Sequence, residues 1–112
     1  MNSPSALPTI ASIRSIFGQV YDPEFGISVA DLGLIYDVTM DAYGSVKIVM
    51  TLTSRYCPAG EVILAGIKAA AESVAGVSTA EVTLVWEPMW TPDRLSAEAR
   101  IQLGWDAPQV DA

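Results

Sequence analysis

The chain has 112 residues, of which 51% are hydrophobic and 17% charged, and this composition rules out a disordered chain. Its net charge of −7, from 13 acidic and 6 scattered basic residues, argues against a nucleic-acid-binding surface. A single cysteine, no signal-peptide pattern and no run of about 20 apolar residues predict a cytoplasmic protein without disulfides or membrane spans.

The first predicted elements follow a Pro/Ser-rich leader, residues 1–8, which we expect to be disordered. Apolar residues at helical spacing predict a helix that begins after Thr9, its N-cap, and stops before Pro23. Residues 21–32 carry turn-forming residues, and we expect an irregular loop there. Alternating apolar residues then predict two strands, over 33–40 and 46–53, joined by a hairpin turn.

The second half of the chain predicts a helix from Pro58 to Gly76, a strand over 80–86 and a last helix over 95–103. The order is helix, strand, strand, helix, strand, helix. It predicts an α/β (α+β) fold, a two-layer domain whose small mixed three-stranded sheet carries helices on one face. We expect this single domain to span residues 9–104, followed by a short tail over 105–112.

Few side chains can carry chemistry. The sequence has no histidine, which excludes Ser-His-Asp and Cys-His nucleophile systems, and it lacks a CxxC pair and a glycine-rich phosphate loop. Cys57 directly precedes Pro58, and proline favours the first turn of a helix, so we expect the thiol at or near an N-cap. There the helix dipole, helped by Arg55, would favour a thiolate. The alternative is a small buried hydrophobe, and position alone does not decide.

Three carboxylates, Asp22, Glu24 and Asp31, share the 21–32 segment, and Thr53 lies at the end of the second predicted strand. They are candidates to orient the thiol, contact a partner or bind a metal transiently. The alternative is that Asp22 caps a turn, Asp31 caps the entry to the strand, Glu24 is solvated and Thr53 is a strand former.

Trp86, Trp90 and Trp105 are concentrated in the C-terminal third, with Met89 beside Trp90. Tryptophan and methionine are common in partner-binding surfaces, and Trp90 is the candidate contact. The alternative is that the tryptophans cover the edge of the core, which we expect for Trp86.

Four motifs occur in consistent order: Asp22-Pro23-Glu24, Asp31-Leu32-Gly33-Leu34-Ile35, Met50-Thr51-Leu52-Thr53 leading to Cys57-Pro58, and Trp90-Thr91-Pro92-Asp93-Arg94-Leu95-Ser96. Together they resemble the SufT/PaaD type of iron–sulfur assembly domain, over residues 10–104. The resemblance implies a compact α/β fold and a role in maturing iron–sulfur proteins. It also implies that Cys57 is the signature thiol, with Asp22, Glu24, Asp31 and Thr53 around it.

Two departures from the family pattern are visible. The connector reads Ser54-Arg55-Tyr56 where members often have a proline–glycine turn, and the sequence lacks the cysteine-bearing C-terminal extension of PaaD-like members. The second departure favours a SufT-like, stand-alone type. A PaaD-like accessory role in a phenylacetate oxygenase system is the alternative.

One thiol cannot hold an iron–sulfur cluster alone, because a cluster takes about four ligands. The resemblance therefore implies at most a transient cluster at Cys57, completed across a homodimer, by glutathione or by a partner. It implies the assembly machinery and client apoproteins as partners. We expect an accessory protein rather than an enzyme. The alternatives are a thiol-dependent enzyme with Asp31 or Glu24 as base, and an interaction module with a structural cysteine.

Overall fold

The computed structural model describes residues 7–104, so the predicted tail and all but the last two residues of the predicted leader lie outside the described part. The helices within it are α1 (Ile10–Ile16), α2 (Val29–Leu32), α3 (Gly60–Glu72) and α4 (Ala97–Leu103). The strands are β1 (Tyr21–Asp22), β2 (Ile27–Ser28), β3 (Ile35–Met40), β4 (Ser45–Met50) and β5 (Thr79–Leu84). No helix in residues 7–104 has the length and apolarity that crossing a bilayer requires.

Strands β3, β4 and β5 form one sheet, in that order. The hairpin of β3 and β4 is antiparallel, with Val38 opposite Ile48, and β5 runs parallel to β4, with Ile48 opposite Val82. A parallel neighbour needs a crossover connection, which α3 provides. The predicted mixed three-stranded sheet and the α/β class are confirmed.

The core lies between this sheet and a helical layer, in which α1 contacts β3 and α3 contacts β5. Alternate side chains of β4 point into it, so that Val46, Ile48 and Met50 are fully buried while Lys47 is exposed. The α-helices bury the side chains that recur at helical spacing, Ile13, Ile63, Ile67 and Ala71, and the short 3-10 helix after α1, Phe17–Gln19, buries Phe17. The predicted two-layer arrangement follows directly from these two periodicities.

Residues 21–32 are more ordered than the irregular loop we predicted. Strands β1 and β2 pair Asp22 with Ile27, and the Ser28 hydroxyl accepts the Asp31 N–H at 3.0 Å to cap α2. Gly33, at φ 76°, ends that helix. The prediction is wrong because turn-forming residues such as Pro23 also suit a tight turn between two short strands.

Element ends differ from the predictions, most of all the end of α1, which lies at Ile16 where the sequence predicted a helix up to Pro23. Strands β4 and β5 end at Met50 and Leu84, so the apolar alternation continues beyond the ladder. Helix α4 begins at Ala97 rather than at residue 95, because the Ser96 side chain accepts the Ala99 N–H and is the N-cap. The predicted N-cap at Thr9 is confirmed, since its side chain accepts the Ser12 N–H at 3.0 Å.

Candidate functional site

The thiol and two of the candidate carboxylates meet where the β1–β2 turn faces the connector between β4 and α3. Cys57 Sγ lies 3.9 Å from Glu24 Oε1, although 33 residues separate the two in sequence. A thiol is a weak donor, so this contact is a weak hydrogen bond. Cys57 is half-buried, and it packs against the edge of the hydrophobic core.

Cys57 lies in a turn ahead of α3 and not at the helix N-cap. The Cys57 N–H donates to the Ser54 carbonyl at 3.3 Å, and the Gly60 N–H donates to the Cys57 carbonyl at 3.2 Å. The N-cap is Ala59, whose side chain makes no capping hydrogen bond. The helix thus begins at Gly60 and not at the predicted Pro58, which belongs to a preceding turn, so Cys57 lies near the N-cap but not at it.

The pKa of the Cys57 thiol is raised above its ordinary value. Burial is the largest cause, and the negative charges of Asp22 and Glu24 and the Glu24 hydrogen bond act in the same direction. A backbone hydrogen bond from Ala59 lowers the thiol pKa but is outweighed. The surroundings of Cys57 thus act against the predicted thiolate, because they raise the thiol pKa where the helix dipole was expected to lower it.

Asp22 organises the turn that carries Glu24. Its Oδ1 accepts the Glu24 N–H at 2.8 Å, and its main-chain carbonyl accepts the Gly26 N–H at 2.8 Å. Its side chain is only 1% exposed, and Oδ2 has no hydrogen-bond partner among residues 7–104. A buried polar atom without a partner costs on the order of 1–3 kcal/mol, and more when charged. Such a cost beside the lone thiol marks Asp22 as a functional candidate.

Asp31 and Thr53 do not join this group. The Asp31 carboxylate accepts the Ser28 hydroxyl at 3.3 Å, and its main-chain carbonyl accepts the Ser96 N–H at 2.8 Å. Asp31 thus lies within α2, where its side chain supports the Ser28 N-cap, and its carbonyl links α2 to the start of α4. Thr53 is half-buried and faces a neighbouring groove. Neither residue is among the groups that shift the thiol pKa.

That groove, which we call the tryptophan groove, has a volume of about 320 Å³. Its walls are the connector residues 52–56 and the segment after β5 that contains Trp86, Glu87, Met89 and Trp90. The Trp90 indole N–H donates to the Leu32 carbonyl at 2.6 Å, so this half-buried ring is fixed in the wall. The candidate partner contact Trp90 therefore lines a concave surface beside the thiol loop.

The site offers a metal one sulfur and two carboxylate side chains. Cys57 supplies a soft donor once deprotonated, while Asp22 and Glu24 supply hard oxygens. Within residues 7–104, no group of three or more His, Cys, Asp or Glu side chains is placed to hold a metal ion. An iron atom or cluster that reaches Cys57 must therefore keep or gain ligands from another molecule.

Comparison with known proteins identifies the family of this chain. The family model of the iron–sulfur cluster assembly proteins matches residues 10–84. The chain belongs to this family.

Individual relatives of this iron–sulfur cluster assembly protein support the same family assignment. It is 44% identical over 93 residues to the Fe-S protein maturation auxiliary factor YitW of Bacillus subtilis, covering 83% of this chain and 91% of the relative. It is 42% identical over 85 residues to the Fe-S protein maturation auxiliary factor SufT of Staphylococcus aureus, covering 76% and 97%. The crystal structure of a domain of unknown function from Bacillus anthracis matches with a TM-score of 0.81 and 38% identity, over 84% and 90% of the two chains. The resemblance to the SufT type is confirmed.

Sequence reasoning missed how Arg55 is used in this assembly protein. We expected it to support a thiolate, but its guanidinium lies over the Trp86 ring, 4.6 Å from the centroid, and is not among the charges that shift the thiol pKa. The parallel pairing of β4 with β5 was the signal that could have indicated the contact between Arg55 and Trp86. Met50 faces Leu84 in the register, so the continuations of β4 and β5 leave the sheet at the same edge.

Proposed function

We propose that this protein acts in iron–sulfur cluster assembly or transfer as an accessory factor that contacts a cluster, or its iron, through Cys57. Partners supply the remaining ligands, and the protein catalyses no turnover of its own. The observation that carries the proposal is the half-buried Cys57 thiol, 3.9 Å from Glu24 and beside the unpartnered Oδ2 of Asp22. A single sulfur can contact a cluster but cannot keep one, and within residues 7–104 no group of His, Cys, Asp and Glu side chains is placed to complete the ligand set.

Proton transfer supports this role. A thiol ligates iron only after it loses its proton, so Cys57–SH must give H⁺ to an acceptor as the S–Fe bond forms. Glu24 Oε1 already accepts the S–H and is the nearest base. Because the thiol pKa is raised, returning the proton favours release of the iron. Weak, reversible ligation is what a carrier needs.

The thiol-dependent enzyme is the weaker alternative. A nucleophilic cysteine works as a thiolate, whereas burial and the negative charges of Asp22 and Glu24 raise the pKa of this thiol. Without a metal ion to acidify the thiol, a carboxylate is a poor base near neutral pH, and the sequence contains no histidine to replace it. The relatives named as maturation factors fit an accessory role without turnover. A cytoplasmic location and a homodimer stay predictions, as do the assembly machinery and client apoproteins as partners.

Anaerobic reconstitution with iron and sulfide tests the proposal, read by absorption, bound iron, oligomer mass and transfer to an apo-protein acceptor. We expect the wild-type protein to bind and transfer iron–sulfur, and Cys57→Ser to lose roughly tenfold or more of both, because oxygen is a poor substitute for a thiolate ligand. The matched control is the double variant Ser54→Cys with Cys57→Ser, which keeps one thiol but moves it away from Glu24. If either variant equals the wild type, the proposed role of Cys57 is wrong.

A further inference from the structure

The rim of the tryptophan groove exposes apolar surface that the fold does not use. Tyr56 is 91% exposed and Met89 is 71% exposed, on opposite walls of the same concavity. A concave surface with exposed large apolar groups on both rims is typical of a contact site for another molecule.

The groove also carries a cation without an anionic partner. Arg55 stacks on Trp86 and forms no ion pair within residues 7–104, where Lys68–Glu72 and Arg100–Asp93 are the ion pairs present. Stacking occupies the face of a guanidinium and leaves its edge N–H groups free to bind a carboxylate in bidentate fashion. Although the chain has a net charge of −7, the Arg55 guanidinium therefore favours a ligand with a negative group at one end of the groove.

One wall of the groove, residues 88–94, is held in place by contacts within the protein. The Tyr36 hydroxyl donates to the Pro88 carbonyl at 2.7 Å, and the Trp90 indole N–H donates to the Leu32 carbonyl. The Arg94 guanidinium covers the other side of Tyr36, 4.5 Å from the ring centroid. These contacts hold residues 88–94 against β3 and α2, so binding need not order this wall.

We propose that the tryptophan groove binds an extended segment of a client apoprotein. One large apolar side chain of that segment lies between Tyr56 and Met89, and an adjacent Asp or Glu pairs with Arg55. A volume of about 320 Å³ suits one or two side chains. Glu87, exposed on the same rim, repels a second acidic group and fixes the direction of the segment.

The inference rests on the proposed function, because the groove adjoins the Cys57 loop through Tyr56 and so holds a client beside the thiol. Cys57 itself does not line the groove. Client binding and cluster contact are therefore separable by substitution.

Photo-crosslinking of the full chain in cells tests the proposal, with p-benzoylphenylalanine placed at Met89. Ile101 on α4 is the matched control position, since it is 65% exposed and outside the groove. We expect Met89 to capture peptides of iron–sulfur apoproteins, and Ile101 to capture few. The captured peptides should carry an apolar side chain within a few residues of an Asp or Glu.

Charge reversal then tests the pairing. In the Met89 probe chain, Arg55→Glu should lower the yield of these peptides by about tenfold, the effect of losing one charge-assisted contact. Arg55→Gln should lower it less, and Glu87→Gln should not lower it. Equal unfolding temperatures of the probe chains exclude misfolding as the cause. Crosslinks to residues 105–112, to a second copy of this chain, or to peptides without an acidic residue overturn the proposal. A yield at Met89 no higher than at Ile101, or one unchanged by Arg55→Glu, also overturns it.

Cys57→Ser separates this proposal from the function on which it rests. The variant should keep the Met89 crosslinks and lose cluster transfer. If Cys57→Ser loses cluster transfer but the chain that keeps Cys57 gives no Met89 crosslinks to clients, the groove proposal is wrong and the thiol role stands. If crosslinks persist and Cys57→Ser still transfers clusters, the thiol role is wrong and the groove stands.

Discussion

The molecule has two turns that begin with an aspartate, one between β3 and β4 and one between β1 and β2. In the first, Asp41 Oδ1 accepts the N–H groups of Tyr43 at 2.9 Å and Ser45 at 3.0 Å, and the side chain is exposed. In the second, Asp22 Oδ1 accepts the Glu24 N–H, while Oδ2 is buried without a partner in the described part of the chain. Both aspartates accept main-chain N–H groups of their own turn, but only Asp22 has a buried carboxylate oxygen without a hydrogen-bond partner among residues 7–104.

The charges of the two turns also act on different groups. The N–H groups of Ser45 and Tyr43 lower the pKa of Asp41, so the turn stabilises its own carboxylate. The charge of Asp22 instead helps to raise the pKa of a thiol on another loop. The carboxylate of Asp41 thus interacts with its own turn, whereas the charge of Asp22 acts on the thiol of the candidate site.

The largest expected difference between the turns concerns their glycines. Gly44, at φ 81°, has no room for a side chain, because a Cβ there would overlap the Gly76 carbonyl. Gly26, at φ 67°, has open space where a Cβ would lie, with no heavy atom within 4 Å. We expect Gly44→Ala to lower the free energy of unfolding by about 3 kcal/mol or more, and Gly26→Ala by only the left-handed backbone cost of about 1–2 kcal/mol. Urea denaturation measures both, and equal losses would contradict the distinction.

The next largest effect separates the two carboxylates. Asp22→Asn keeps the acceptor for the Glu24 N–H and removes an unpaired buried charge, so we expect stability to rise by about 1 kcal/mol. Asp41→Asn also keeps its acceptor but removes a charge that the turn stabilises, so stability should fall at neutral pH. Thermal unfolding at pH 7 compares them. If both variants are destabilised alike, Asp22 is only a turn former, and its free oxygen has no functional meaning.

The sheet and its helical layer were predictable because their signals are local. Val46, Ile48 and Met50 alternate on one strand, and Ile63 and Ile67 recur at helical spacing, so neighbouring residues alone specify which face is buried. The family resemblance likewise depended on short motifs read in order. The wrong prediction of an irregular loop over residues 21–32 arose because turn-forming residues suit two local structures.

The chemistry of the thiol was not predictable from its neighbours in sequence. Pro58 fits a turn as well as a first helical turn, so the N-cap could not be located from the Cys57-Pro58 pair. The sign of the thiol pKa shift depends on burial and on carboxylates more than 30 residues earlier, which only the tertiary fold brings close. The free oxygen of Asp22 has the same origin, since burial by distant elements decides whether it meets water.

The smallest expected effect concerns the pH response of the thiol. Glu24→Gln removes one negative charge and weakens an acceptor beside Cys57, so the thiol pKa should fall toward its ordinary value. The midpoint of the iodoacetamide pH–rate profile should then lie at lower pH than in the wild type. Glu61→Gln, an exposed change in the first turn of α3, is the control and should leave the midpoint unchanged.

Stability at alkaline pH gives the same prediction an independent readout. The pKa of Cys57 is higher in the folded than in the unfolded chain, so the stability it contributes is fully present below the unfolded pKa and is lost as pH rises through the folded pKa. Glu24→Gln narrows that gap, so the variant should lose less stability than the wild type between pH 7 and alkaline pH. Parallel urea titrations measure this. Equal losses, with an unchanged alkylation midpoint, would mean that Glu24 does not act on the thiol, and Asp22 would be the only carboxylate of the β1–β2 turn left to do so.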